Sequence, residues 1–221
     1  MAKKLTGERL EQELARLDGM LEFERQYGWA SGICGIDEAG RGPLAGPVVA
    51  GAVILPKDCK ILYLNDSKKL SEKRREELFL EIQDKAVSYA AGIVSPGEID
   101  AINILQATYE AMRQAVRKLS QVPDVLLNDA VEIPGLSMKQ VKIIHGDAKS
   151  LSIAAASVLA KVTRDHMMME YDVIYPEYGF AKHKGYGTKA HIQALKDHGP
   201  CPIHRKTFIG KFVREEKENE I

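Results

Sequence analysis

The sequence predicts one α/β domain built on a mixed sheet, with a helical extension before it and a helical region at its C-terminal end. Three observations carry that expectation. From Gly32 onward, short apolar runs alternate with stretches of helical period. The first three runs come close together and helical patterns separate the later two, so antiparallel and parallel pairings are expected in one sheet. The chain has 221 residues, 45% of them apolar and 28% charged, which is ordinary globular composition at a length that supports one substantial core.

Residues 6 to 27 place Leu10, Leu14, Leu17 and Leu21 on one helical stripe. The Gly28-Trp29-Ala30-Ser31-Gly32 exit breaks that pattern, which makes residues 1–30 an N-terminal helical extension and residues 31–221 the main domain. Strands are expected at Ile33 to Ile36, Val48 to Leu55, Ser88 to Val94, Asp124 to Leu127 and Val141 to Ile144. Helices are expected at 71–86, where Ser71 is the N-cap, at 102–120, at 150–168 and from Thr188. The 150–168 segment is rich in Ala and Ser, which lets a helix approach a sheet closely. Its Ser150 and Ser152 read as helix-start residues, not nucleophiles.

Lys and Arg number 31 and Asp and Glu also 31, so total charge names no partner. The distribution is more informative. Lys182, Lys184, Lys189, Lys196, Arg205, Lys206, Lys211 and Arg214 face a single acid, Asp197, before an acidic tail from Glu215, and a second basic run comprises Lys68, Lys69, Lys73, Arg74 and Arg75. A charge run alone is usually a solvated face. Cys34, Cys59 and Cys201 are widely spaced and odd in number, which offers neither a disulfide framework nor a metal knuckle and fits a reducing cytoplasm. No stretch reaches the ~18 apolar residues of a membrane helix, and no signal-peptide apolar region follows the start. A cytoplasmic monomer without membrane association is the expectation.

The chemistry concentrates in Gly35-Ile36-Asp37-Glu38-Ala39-Gly40-Arg41-Gly42-Pro43-Leu44-Ala45-Gly46-Pro47. A strand ends in two carboxylates and enters a Gly-rich turn. Successive strand side chains point to opposite faces, so either the strand breaks at Glu38 or Glu38 contributes differently from Asp37. The glycines are not spaced as in a dinucleotide fold; they allow a ligand to approach the backbone closely, with Arg41 available for a phosphate. Asp129 and Asp147 also follow apolar runs, and ligands in open α/β sheets gather beyond such strand ends. Clustered carboxylates invite a cation, and all-oxygen donors suit Mg²⁺ or Mn²⁺. Each acid also has a plain reading, Asp129 as a turn residue and Asp147 as an N-cap. Tyr186, between Gly185 and Gly187, offers a ring to a base or sugar while Lys182 and Lys184 meet phosphates. His198, Cys201 and His204 lack a fourth zinc ligand at familiar spacing.

The stretch from Asp37 to Pro47 closely resembles the ribonuclease HII family, the type 2 ribonucleases H. The likeness continues through Asn65-Asp66-Ser67-Lys68-Lys69-Leu70, Asn103-Ile104-Leu105, Gly146-Asp147, the segment from Ala154 to Asp165 and His183-Lys184-Gly185-Tyr186. The resemblance implies a ribonuclease H-like mixed five-stranded sheet flanked by helices. It implies an endoribonuclease that cuts the RNA strand of RNA–DNA hybrids and cuts at single ribonucleotides in duplex DNA, using Mn²⁺ or Mg²⁺. Asp37, Glu38, Asp129 and Asp147 would hold the metal. Gly40, Arg41 and Gly42 would read the 2′-hydroxyl, Tyr186 would pack on that ribose, and Lys68 and Lys184 would contact substrate. One departure is Asn128, where the family commonly has an aliphatic residue before the third carboxylate. If the strand stays extended, Asn128 faces away from Asp129 and must find its own hydrogen bonds. The expected mechanism is two-metal hydrolysis leaving 5′-phosphate and 3′-hydroxyl ends. The alternatives are a non-catalytic nucleic-acid-binding module and a phosphatase acting on small nucleotides.

Overall fold

A computed structural model of the chain describes residues 6–27 and 32–213. The expected boundary at residue 30, most of the glycine-bounded exit before Gly32, and the acidic tail from Glu215 lie outside the described residues. Helices α1 (Glu8–Gly19) and α2 (Glu22–Gln26) precede strands β1 (Ile33–Ala39) and β2 (Val48–Ile54). A 3₁₀ turn at Ser67–Lys69 leads into α3 (Glu72–Lys85), β3 (Ser88–Val94), α4 (Pro96–Arg117), β4 (Val125–Asp129) and β5 (Lys139–Ile143). Helices α5 (Gly146–Lys149), α6 (Leu151–Ile174), α7 (Phe180–His183), α8 (Lys189–His198) and α9 (Lys206–Ile209) complete the order.

The five strands form one sheet in the order β3-β2-β1-β4-β5. β1 pairs antiparallel with β2, and β2 with β3, whereas β4 runs parallel to both β1 and β5. The mixed sheet expected from the sequence is therefore present. Its five strands fall at the expected places within about a turn.

Several boundaries differ for physical reasons. The expected single helix over 6–27 is two, because Met20 and Leu21 donate to the carbonyls of Arg16, Leu17 and Asp18 in a turn that sends both side chains into the core. The helix expected at 102–120 begins at Pro96, behind a capping box in which Ser95 and Glu98 satisfy each other's backbone N–H groups. It bends at Asn103 (φ 66), whose side-chain oxygen accepts from the N–H groups of Leu105 and Gln106 and so caps the second half. No helix separates β4 from β5: the link is residues 130–138. There the Gln140 side chain pairs with both backbone polar groups of Ile133, at 2.8 and 2.9 Å, in place of ladder bonds. The Ser71 cap is as expected, accepting from the Arg74 N–H.

α6 lies on one face of the sheet and α4 on the other. Gly35 and Gly51 make the close approach of α6 possible: a Cβ at Gly35 would stand 2.1 Å from the Ser152 backbone, and one at Gly51 2.4 Å from the Ala156 carbonyl. Leu17, Met20 and Leu21 pack into the same apolar cluster as Leu78 and Ile82 of α3 and Val158, Leu159 and Val162 of α6. Each such leucine withdraws side-chain surface worth roughly 2 kcal/mol from water. Glu24, buried in α2, accepts from the Ser150 hydroxyl at 2.7 Å and the Ser152 N–H at 3.0 Å, so the N-terminal helices seat the start of α6. Among the described residues no helix is long and apolar enough to cross a membrane.

Candidate active site

Parallel pairing sets Ile36 opposite Asn128, and the next residue on each strand is an acid. Side-chain alternation then decides which way the acids face. Asp37 follows Gly35 onto the α6 face, where Leu127 of β4 packs with Ile153 and where Asp129 must also point. Cys34, Ile36 and Leu126 pack on the α4 side, the side of Glu38 and Asn128. The strand does not break at Glu38: β1 continues to Ala39, with Glu38 opposite Ala50. At the sheet's end the Glu38 carboxylate meets Arg41 Nη1 at 3.3 Å. Asn128 is fully buried, and its amide donates to Gln140 Oε1 at 2.9 Å while its own Oδ1 has no hydrogen-bond partner among the described residues.

Asp147 arrives from the turn after β5. His145 adopts the left-handed conformation (φ 57) and swings the chain so that the Gly146 N–H donates to Asp129 Oδ1 at 2.8 Å. The fourth acid therefore stands beside the third. Burial, the Glu38 charge and Asp129 all push the Asp37 carboxyl well above the usual carboxylate range, against hydrogen bonds from Ser157 and the Glu38 N–H. Burial raises Glu38 too, with Asp129 adding to it and Arg41 opposing. Burial likewise raises Asp147, helped by the charges of Asp66 and Asp129. One ammonium answers this cluster. Burial works against the charge on Lys68, yet Asp37, Asp66, Asp147 and Asp129 together hold its pKa above the ordinary value. Its Nζ lies 3.9 Å from Asp147 Oδ2.

The structure thus brings Asp37, Glu38, Asp129, Asp147 and Lys68 to one end of the sheet, and it adds residues that sequence reading did not single out. Asp66 stands near enough to Asp147 to raise its pKa and caps the Lys68 turn, accepting from the Lys68 N–H at 2.9 Å. Ser157 of α6 reaches Asp37 and lies 2.8 Å from the Ser67 hydroxyl, so a serine pair couples the Lys68 turn to the first acid. A lone serine in a row of alanines was the available signal. A cleft of about 620 Å³, lined in part by Arg16, Asn65, Lys69, Ala148 and Lys149, opens between α1 and this turn.

The glycine loop is fixed from beneath. Gly40 has φ 94, and a Cβ there would meet the Arg164 guanidinium at 2.2 Å. Arg164, 1% exposed, donates to the carbonyls of Pro47, Ala45 and Lys184 at 2.9, 3.0 and 2.9 Å, tying the Gly40–Pro47 loop to the segment carrying Tyr186. The Tyr186 ring is 45% exposed, and its carbonyl lies 2.9 Å from His191 Nδ1. Lys184 is turned inward: its Nζ donates to the Ala181 carbonyl at 2.5 Å and lies 3.7 Å from Glu72. Arg205, counted among the solvent-facing bases on sequence, is fully buried. Cys201 and His204 pair with each other and His204 with His191, whereas His198 packs at the edge of Tyr178.

The oxygen-only donors and the uncompensated negative charge fit a hard divalent cation in type. They are not arranged as a closed cage: among the described residues no three acidic, imidazole or thiol groups stand ready to hold an ion. The reason is local, since Glu38 is turned to Arg41, Asp129 to the Gly146 amide and Asp147 toward Lys68. A divalent ion would take over the neutralising part that Lys68 now plays.

Solved structures place this architecture in a class. The fold matches the ribonuclease H2 of Pyrococcus horikoshii with a TM-score of 0.67 and 28% identity, covering 79% of this chain and 92% of that one. It matches the ribonuclease HII in a PCNA complex from Archaeoglobus fulgidus with a TM-score of 0.64 and 26% identity, covering 83% and 97%. The class is the ribonuclease H-like nucleases. Within it, the ribonuclease HII family model matches residues 34–211. The ribonuclease HII of Lachnoclostridium phytofermentans is 62% identical over 91% of this chain and 80% of its own. That of Clostridioides difficile is 56% identical over 96% and 84%. The chain belongs to the ribonuclease HII family, an enzyme family of metal-dependent hydrolases.

Proposed function

We propose that this chain hydrolyses the RNA strand of RNA–DNA hybrids and also cuts duplex DNA at a single embedded ribonucleotide, leaving 5′-phosphate and 3′-hydroxyl ends. The observation that carries the reading is the convergence of four acids from β1, β4 and the α5 turn beside a glycine loop whose backbone is held in place by a buried arginine. Asp37, Glu38, Asp129 and Asp147 would hold divalent cations, Mn²⁺ or Mg²⁺. When bound, a pair of such ions supplies an activated water and stabilises the leaving 3′ oxygen.

The chain's own residues do the rest. The N–H groups of the Gly40-Arg41-Gly42 loop meet the 2′-hydroxyl, a donor and acceptor that deoxyribose lacks. Deoxyribose leaves a loop donor unpaired, which costs binding and alignment. The exposed Tyr186 ring packs on the ribose. With the acids holding cations, Lys68 and Arg41, which now lie beside Asp147 and Glu38, would be available to meet phosphates. Lys184 serves the substrate through its backbone, because its ammonium is committed to Ala181 and Glu72.

An end-labelled DNA duplex with one embedded ribonucleotide tests this reading with and without Mg²⁺ or Mn²⁺. The expected result is a single cut 5′ of the ribonucleotide or at its junction, only with metal, with a ligatable 3′-hydroxyl. Binding without any metal-dependent product contradicts it and favours a non-catalytic binder.

A further inference from the structure

The Gly40–Pro47 loop leaves the sheet after β1, yet what fixes it lies near the other end of the chain. Residues 203–205 run alongside it: the Gly46 N–H donates to the Ile203 carbonyl, the Arg205 N–H to the Leu44 carbonyl, and Ala45 bridges His204. This segment is itself anchored to α4, because the Asp100 carboxylate accepts from the N–H groups of Lys206 and Thr207, at 2.8 and 3.0 Å, and from the Thr207 hydroxyl. From it the fully buried Arg205 side chain reaches under the loop. Nη2 donates to the Gly40 carbonyl at 2.6 Å, Nη1 to the Arg41 carbonyl at 2.9 Å and Nε to the Gly46 carbonyl at 3.0 Å.

Peptide geometry gives those bonds a consequence on the opposite side. In a planar trans peptide the C=O and the next residue's N–H point in opposite directions. Drawing the Gly40 and Arg41 carbonyls down to Arg205 therefore turns the N–H groups of Arg41 and Gly42 up and away from the protein. Gly42 supplies an independent sign that this outward side is kept clear. Its φ is not positive, and a Cβ added to it would meet nothing within 4 Å. Among the described residues neither backbone strain nor packing calls for glycine there, so the missing side chain leaves room for a ligand to close on the backbone.

We propose that Arg205 is a positioning residue for 2′-hydroxyl recognition, holding the Arg41 and Gly42 N–H groups aimed at the ribose. This rests on the function proposed above, in which the loop meets that hydroxyl. A planar fork of donors suits the task because it fixes several carbonyls in one plane. Arg205 acts through the loop and touches no reacting atom.

A cycle crossing a protein change with a substrate change tests the role. Duplexes carrying either one ribonucleotide or the matching 2′-deoxynucleotide, which offers the loop N–H groups no acceptor at that position, are given to wild type, Arg205→Gln and Arg205→Lys, with kcat and KM measured separately on the ribonucleotide substrate and kcat/KM on the other. Wild type is expected to lose at least about a hundredfold on the 2′-deoxy substrate. Arg205→Gln is expected to lose about a hundredfold in kcat on the ribonucleotide substrate with little change in KM. It should lose less than about tenfold more when the hydroxyl is replaced. Arg205→Lys, which keeps the charge and some donors, should recover part of both. Additive losses, with the variant as sensitive to the 2′-group as wild type, overturn the proposal and leave Arg205 a scaffold residue. If Arg205→Gln does not fold, Arg205→Lys carries the test. Failure of both to fold makes Arg205 a folding element and also overturns the proposal. A wild type indifferent to the 2′-group refutes the functional reading of the loop instead.

Discussion

Two buried charge clusters lie next to each other in this molecule and are built on opposite terms. At the sheet's end, Asp37, Glu38, Asp129 and Asp147 crowd together with Lys68 as their main cation, and burial plus mutual repulsion push three of them toward the protonated form. Beneath the adjoining loop, Arg164 and Arg205 are equally buried, yet every donor used there finds a backbone carbonyl at 2.6–3.0 Å. A charge buried with its hydrogen bonds complete holds structure, whereas charges buried against one another are held in reserve for a ligand. The contrast separates the part of the site that binds from the part that aims.

Asp37→Asn should break that contrast most visibly. Cleavage is expected to fall by more than about a hundredfold, since residues that merely support a metal ligand already cost roughly 10–100-fold. Its stability without metal should rise. The folded state lifts the Asp37 pKa, so the folded protein holds its proton more tightly than the unfolded chain, and the ionised side chain destabilises the fold at neutral pH. The gain is expected at pH 7 and should vanish as pH falls below the ordinary value of 3.8, where both states carry the proton. Urea unfolding across pH checks it; a variant less stable than wild type at pH 7 would mean that the carboxylate is not under strain.

Arg164→Met should behave in the opposite sense. Three carbonyls lose their donor inside the protein, and each unpaired buried group costs about 1–3 kcal/mol. A loss of roughly 3 kcal/mol in unfolding free energy is expected at any metal concentration. A loss under about 1 kcal/mol would show that water or a shifted loop replaces the guanidinium, and the two clusters would then differ less than their bonding suggests.

Much of this was legible in the sequence. Five apolar runs located the strands, and Ser71 announced its helix. Asp37 and Glu38 stood out because a buried strand ending in two acids and a glycine turn has few structural reasons to exist. The splitting of the first helix at Met20 and the bend at Asn103 were not legible, because both arise where tertiary packing or a side-chain cap overrides local periodicity. Nor was the helix-free link from β4 to β5, in which the Gln140 side chain closes on the backbone of Ile133. Arg205 illustrates a general blind spot. A buried arginine bonded to carbonyls and a solvated arginine on a basic face are the same letter, and only the distant partners Gly40, Arg41 and Gly46 distinguish them.

The central claim is that the four acids form a receptor for divalent cations, a role now filled by Lys68. Calorimetric titration of Mn²⁺ into wild type and Asp37→Asn, without nucleic acid, tests it most directly. Saturable binding by wild type that weakens by at least about tenfold in the variant is the predicted result. Equal affinity in the two proteins, or no binding by a folded wild type at millimolar metal, would contradict it.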